Sequence, residues 1–114
     1  KIFKASGIDK QIIKNYERTI SIACACVILK TSKKITDNFW TNINDNRFSI
    51  PGIVEMSNLR ELDSHISYVP FYMPEHHPNY SKSNANLIKE AWDCIKAINK
   101  NLEDEDLISS CCNR

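Results

Sequence analysis

The chain has 114 residues, of which 42% are hydrophobic and 25% are charged, and its formal net charge is +1. These values are typical of a single soluble globular domain with its own core, so residues 1–114 are expected to form one domain. The small net charge points neither to a nucleic-acid-binding domain nor to an acidic tail, and no apolar run approaches the roughly 20 residues of a membrane span.

The charges and the cysteines add to this picture. Residues 1–34 hold eight Lys or Arg against two acidic residues, which we interpret as a solvated helix face and a Lys-rich turn. The five cysteines are odd in number and include the adjacent Cys111 and Cys112, so reduced thiols and a cytoplasmic location are expected. No signal peptide is visible, and the chain starts at Lys1 without a methionine, as a piece of a longer protein would.

The first predicted elements are a helix and a strand. From Ile8 to Ile20 the apolar residues fall on one side at 100° per residue and the basic residues fall elsewhere. The next stretch, "SIACACVILKT" (residues 21–31), is apolar on both faces, which predicts a central strand covered on both sides. Cys24 and Cys26 share one of these faces, a placement that suits packing better than redox chemistry.

Three more strands are predicted before the second helix: Phe39 to Asn44, "IVEMSNL" (residues 53–59) and His65 to Met73. Because Pro70 lacks an N–H group, the third is either an edge strand or a strand whose hydrogen bonding shifts at Pro70.

Ser83 to Lys100 has the clearest helical pattern, with Ser83 as a candidate N-cap and an apolar arc that includes Ile95 and Ile98. "LISSCC" (residues 107–112) could form a last strand. This order predicts an α+β fold, in which two helices pack on a mixed or antiparallel sheet of four to five strands.

The sequence contains no established motif for a zinc site or a dinucleotide-binding site. A zinc site could be suspected at Glu75, His76 and His77. Adjacent histidines between prolines point in different directions, however, and we expect a surface turn without metal. Gly7 and Gly52 are the only glycines, so neither a Walker loop nor a GxGxxG fingerprint is present. The chain by itself is therefore not expected to bind a dinucleotide in the usual way.

Four segments in a fixed order resemble a known family: "CVILK" (residues 26–30), "FWTNIND" (39–45), "PGIVEMSNL" (51–59) and "YVPFYMPEHHP" (68–78). In order and spacing they are similar to the middle region of FAD-dependent oxidoreductases of the amine oxidase and protoporphyrinogen oxidase superfamily. The subgroup is the one similar to UDP-galactopyranose mutase that occurs in surface-polysaccharide (LPS) gene clusters. The resemblance covers about residues 20–100, and the sequence departs from it at Met56, where an aromatic residue is more usual, and at His76.

The resemblance implies a function for the parent protein. It would bind FAD and carry out an oxidation or a flavin-assisted reaction on a small molecule, such as a sugar nucleotide. This chain would be its substrate-side (cap) domain, whose partner is the FAD-binding remainder of the parent chain. The fragment itself is expected to hold no cofactor, metal or catalytic residue, to bind no nucleic acid and to be inactive alone.

Alternation along the strands selects candidate substrate-binding residues. Glu55, Tyr68 and Tyr72 are predicted to lie on a sheet face that the helices leave open, with Asn58 and Trp40 as weaker candidates. Tyr68 and Tyr72 are four positions apart in the strand and leave the same face, and Glu55 is expected beside them if the strands pair in register. The alternative is that these residues form ordinary solvated or cross-strand pairs.

The sequence is also compatible with two other functions. The chain could be a free-standing protein-interaction module that uses the aromatic strand as an edge, or a weak nucleic-acid binder that uses its basic N-terminal third. An upstream GxGxxG in the parent reading frame favours the flavoenzyme domain. Concentration-dependent dimerisation favours the interaction module, and a steep salt dependence of oligonucleotide binding favours the third function.

Overall fold

The computed structural model describes residues 7–17, 19–20, 22–74 and 76–114. The helices and strands, in chain order, are α1 (Lys10–Glu17), β1 (Ala23–Thr31), β2 (Trp40–Asn42), β3 (Gly52–Glu55), β4 (His65–Met73), α2 (Asn84–Ile98) and β5 (Leu107–Asn113). Short 3-10 turns occupy Met56–Asn58, Pro78–Ser81 and Asp104–Asp106. The predicted α+β fold class is confirmed. Neither helix of these described ranges has the length and hydropathy needed to cross a membrane.

The five strands form one antiparallel sheet in the order β2-β3-β4-β1-β5. β1 lies inside the sheet and pairs with β4 along its whole length, from Ala23 opposite Met73 to Thr31 opposite His65. β5 pairs with the other side of β1, with a shift of register between Lys30 and Thr31. The edges of the sheet are therefore β2 and β5.

Helix α2 covers one face of this sheet, which we call the covered face. Its Ser83 N-cap accepts a hydrogen bond from the Asn86 N–H at 3.2 Å, as its position before the apolar arc predicted. Ile98, which the helical wheel placed on the packed side, is 42% exposed. The core cluster joins five residues of α2 to six of β1 and β4: Leu87, Ala91, Trp92, Cys94 and Ile95 with Ala25, Val27, Leu29, Val69, Phe71 and Met73.

The opposite face, which we call the open face, has neither helix of the described residues packed against it. Along β1 the buried residues alternate with half-buried ones, and Cys24, Cys26 and Ile28 are among the half-buried set. α1 has no buried residue, and Ile12 is 50% exposed. The prediction that β1 is covered on both sides is therefore wrong for the residues described, because α1 does not supply a second layer.

One strand prediction needs correction, and the structure decides between the two alternatives for Pro70. The strand predicted for residues 53–59 ends at Glu55, because the chain turns there and the Leu59 N–H donates to the Met56 carbonyl at 3.0 Å. β4 is not an edge strand, but β3 pairs with it only at Ser67 and Tyr68. The ladder on that side thus ends before Pro70, as the second of the two alternatives for this proline required.

A polar anchor fixes the start of β5. Asp106 accepts hydrogen bonds from the backbone N–H of Glu103 at 2.9 Å, from Ser32 Oγ at 2.6 Å and from Lys33 Nζ at 3.0 Å. These three donors lower the pKa of the Asp106 carboxyl to about 2. The carboxylate therefore ties the turn after β1 to the 3-10 turn that leads into β5.

Candidate functional site

The open face carries a continuous row of side chains across all five strands. The cross-strand register places Trp40 opposite Val54, Val54 opposite Tyr68, Tyr68 opposite Ile28, and Ile28 opposite Cys111. Directly opposite residues point to the same face, and neighbouring strands are about 4.8 Å apart, so the row is about 19 Å long. We call these five residues the aromatic row. It forms an apolar platform with one indole and one phenol ring.

Tyr72 lies on the same face as Tyr68, four residues further along β4, with Pro70 between them on that face. It is opposite Cys24 and is 57% exposed, whereas Tyr68 is half-buried. Val69 and Phe71, which alternate with these positions, point into the core. The structure thus places both tyrosines on the open face. That they bind a substrate stays a prediction.

Trp40 lies directly over Gly52. A Cβ atom built on Gly52 would be 2.9 Å from the Thr41 carbonyl oxygen and 3.1 Å from Trp40 Cζ2, distances too short for a packed side chain. The Trp40 indole N–H donates to Asn42 Oδ1 at 2.6 Å. A glycine in β3 therefore allows the indole ring to lie close to the sheet at the end of the aromatic row.

Glu55 does not belong to the open face. It lies opposite Ser67, one position after Val54, and it is fully buried on the covered face. Its Oε2 accepts hydrogen bonds from Ser67 Oγ at 2.9 Å and from the Ile35 N–H at 3.2 Å, while Oε1 has no partner among the described residues. The prediction that Glu55 lies beside the tyrosines is wrong, because successive residues of a strand point to opposite faces.

Asn58 also has a structural role. It lies on the 3-10 turn after β3, and its side-chain amide donates to the carbonyl oxygens of Thr36 at 2.7 Å and Asn38 at 3.0 Å. The Glu55 N–H donates to the Phe39 carbonyl at 2.8 Å. Glu55 and Asn58 therefore hold the loop of residues 35–39, which leads directly into β2. Of the five predicted site residues, these two position the loop, and only the three aromatic residues lie on the open face.

Lys30 is a further candidate binding residue, which the sequence patterns did not single out. It shares the open face with the aromatic row, opposite Ile66 on β4 and Ser109 on β5. Among the strand positions of this face, within the described residues, it is the only charged one. The alternation of "CACVILK" already places Lys30 on the side of Cys24 and Cys26. A cation beside aromatic rings suits a ligand that carries both a ring and a negative charge.

Burial affects the chemistry of two cysteines. All five cysteines are free. Burial, and next to it the neighbouring Cys24 thiol, raises the pKa of Cys26 on the open face. Burial raises the pKa of Cys94 in α2 to about 11. These two thiols are therefore protonated at neutral pH, and they act as small apolar groups rather than as nucleophiles.

The histidines next to β4 do not form a metal site with other described residues. Within those ranges no cluster of three or more His, Cys, Asp or Glu side chains is placed to hold a metal ion; Glu75 lies outside them. His77 instead caps the turn Pro78–Ser81, because its Nδ1 accepts a hydrogen bond from the Asn79 N–H at 3.1 Å.

No protein-family model, curated protein sequence or solved structure matches the chain.

Proposed function

We propose that the chain is the substrate-side domain of a larger FAD-dependent enzyme, similar to UDP-galactopyranose mutase, that acts in LPS biosynthesis in the cytoplasm. The main support for this proposal is the position in the sequence of the residues that form the aromatic row. Each of the four segments that resemble the family contributes one of its residues: Ile28, Trp40, Val54 and Tyr68. Segments that are far apart in the sequence thus meet in one row, on a face that neither helix of the described residues covers.

The side chains of the open face have separate tasks in this proposal. The Trp40 and Tyr68 rings pack against the ring of the substrate, and the exposed Tyr72 hydroxyl donates a hydrogen bond to it. Lys30 neutralises a negative charge, such as that of a sugar nucleotide. FAD supplies the redox chemistry when it is bound to the remainder of the parent chain, while the apolar row excludes water from the substrate.

The residues of this chain do not fit a flavin-binding loop of their own. Gly52 is covered by the Trp40 ring, and Gly7, whose φ is 69°, precedes α1. Neither lies in a glycine-rich turn between a strand and a helix, the arrangement that cradles a dinucleotide phosphate. The proposal therefore assigns FAD to the remainder of the parent, and the isolated chain is proposed to have no activity.

The first test is the colour of the purified proteins. The isolated chain is expected to be colourless, and the full-length parent is expected to be yellow and to release FAD on denaturation. Absorbance in the flavin band and titration calorimetry measure this directly. Micromolar binding of FAD to the isolated chain, or a parent reading frame without an upstream GxGxxG, would contradict the proposal.

Tyr72→Phe in the full-length parent tests the open face. The change removes one hydroxyl group from an exposed ring, so stability should not change, while substrate affinity or turnover should fall by about 0.5–1.5 kcal/mol. Tyr80→Phe is the matched control, because Tyr80 packs against the core instead of lying on the open face. Equal effects of the two substitutions on substrate binding would remove Tyr72 from the site.

If the chain is instead a protein-interaction module, it needs a different binding surface from the one expected on the sequence. The aromatic strand β4 lies between β3 and β1, so it does not offer the edge that this alternative assumed. The edges are β2 and β5, and β5 is the longer of the two.

A further inference from the structure

β5 forms an exposed edge of the sheet. It pairs with β1 on one side, no strand of the described residues pairs with its other side, and the four residues 108–111 are exposed. Edge strands usually carry a charged residue or a proline that prevents pairing with another chain. Leu107–Asn113 contains neither. Two features protect its ends: the shift of register at its start, which leaves Ile108 without a partner in β1, and the Asn84 side chain, which bonds the Cys112 carbonyl near its end.

One hydrogen bond indicates which backbone groups face outward. The Asn84 side-chain amide donates to the Cys112 carbonyl at 3.2 Å, so this carbonyl is turned away from β1. Because residues of an antiparallel strand alternate in the direction of their hydrogen bonds, the N–H and carbonyl of Ser110 face outward as well. Ser110 lies in the middle of the exposed part of the strand.

The charges around β5 are complementary under a two-fold rotation. Four acidic residues, 103–106, come directly before the strand, and Arg114 follows its last residue. When two such strands pair antiparallel, the acidic start of each lies near Arg114 of the other. The uncharged middle of one strand then pairs with the uncharged middle of the other. With the axis at Ser110, Arg114 comes opposite Asp106 of the second copy, and Ser109 comes opposite Cys111 of the second copy.

We propose that β5 is a self-association edge, through which two copies of the chain pair antiparallel about a two-fold axis at Ser110. The axis is perpendicular to the sheet, so the open faces of both copies lie on the same side of one continuous sheet. A pair of seven-residue strands is small for an interface. The dimer is therefore weak and depends on protein concentration.

Sedimentation under reducing conditions between about 10 μM and 1 mM protein tests the pairing. The unmodified chain should shift from monomer to dimer over this range. Ser110→Pro removes the outward N–H group, and Ile108→Lys adds an edge charge; each should weaken dimerisation by about tenfold or more. Leu59→Lys is the matched control, because Leu59 is 61% exposed and lies after β3, away from β5. If Ser110→Pro unfolds the chain, the sedimentation of the Ile108→Lys variant still shows whether β5 mediates dimerisation.

A thiol placed at position 109 tests the register. Ser109 and Cys111 of the second copy form a non-hydrogen-bonded pair, whose Cα atoms are about 4.5 Å apart, a separation that a disulfide accepts. Ser109→Cys should therefore give a covalent dimer on mild oxidation, with the 109–111 link identified by mass spectrometry, while Ser49→Cys should not. A chain that stays monomeric at about 1 mM, a Leu59→Lys variant that dissociates equally, or a link at other positions would overturn the proposal. The FAD content of the parent is an independent measurement and is unaffected by any of these results.

Discussion

Glu55→Ala is expected to lower the free energy of unfolding by about 3–5 kcal/mol. The carboxylate is fully buried, and its Oε2 is the acceptor for the Ile35 N–H and for Ser67 Oγ. The substitution leaves both donors without a partner in a site that water does not reach, and it also opens a cavity. Urea denaturation with a freely fitted slope measures the change.

Glu55→Gln is the control for this prediction. It keeps the volume of the side chain and one carbonyl oxygen as acceptor, so the expected cost is smaller, about 1–2 kcal/mol. An alanine variant within about 0.5 kcal/mol of the unmodified chain would mean that Glu55 does not hold residues 35–39 in the way described. Trp40 fluorescence provides a second measurement, since this loop leads directly into β2.

Local pattern was sufficient for much of the fold. The 3.6-residue period of α2, the β-branched and aromatic run of β4 and the unbroken apolar run of β1 each predicted an element that the structure contains. Alternation in β4 also separated Tyr68 and Tyr72 from the core residues between them. These features depend on neighbours within about ten positions, and a single sequence displays them directly.

Contacts between distant segments were not predictable in this way. Alternation put Glu55 and Ile53 on one face of β3. The group that donates to the buried Glu55 carboxylate there is the backbone N–H of Ile35, twenty positions upstream. A carboxylate normally avoids burial, and Glu55 was expected on the open face. The apolar side of α1 predicted a packed helix, and whether such a side meets the sheet is decided by tertiary structure alone.

Two polar and two aromatic residues of the four resembling segments have different roles in the structure. Glu55 and Asn58 bond to backbone groups of the loop of residues 35–39. Trp40 and Tyr68 lie on the open face. Polar side chains often give a ligand site its specificity, but the backbone groups of a loop also need hydrogen-bond partners. Glu55 and Asn58 meet this second requirement.

Ile95→Ala is expected to cost about 2–4 kcal/mol, and Ile98→Ala about 0.5 kcal/mol or less. Both substitutions remove the same atoms from the same helix and change helix propensity equally, so the difference between them reports burial. Ile95 is fully buried in the core between α2 and the sheet, whereas Ile98 is exposed at the last turn of the helix. Truncation at position 95 therefore leaves a cavity, and truncation at 98 leaves only solvent-exposed surface. Denaturation midpoints that coincide for the two variants would show that α2 does not pack on the covered face through Ile95.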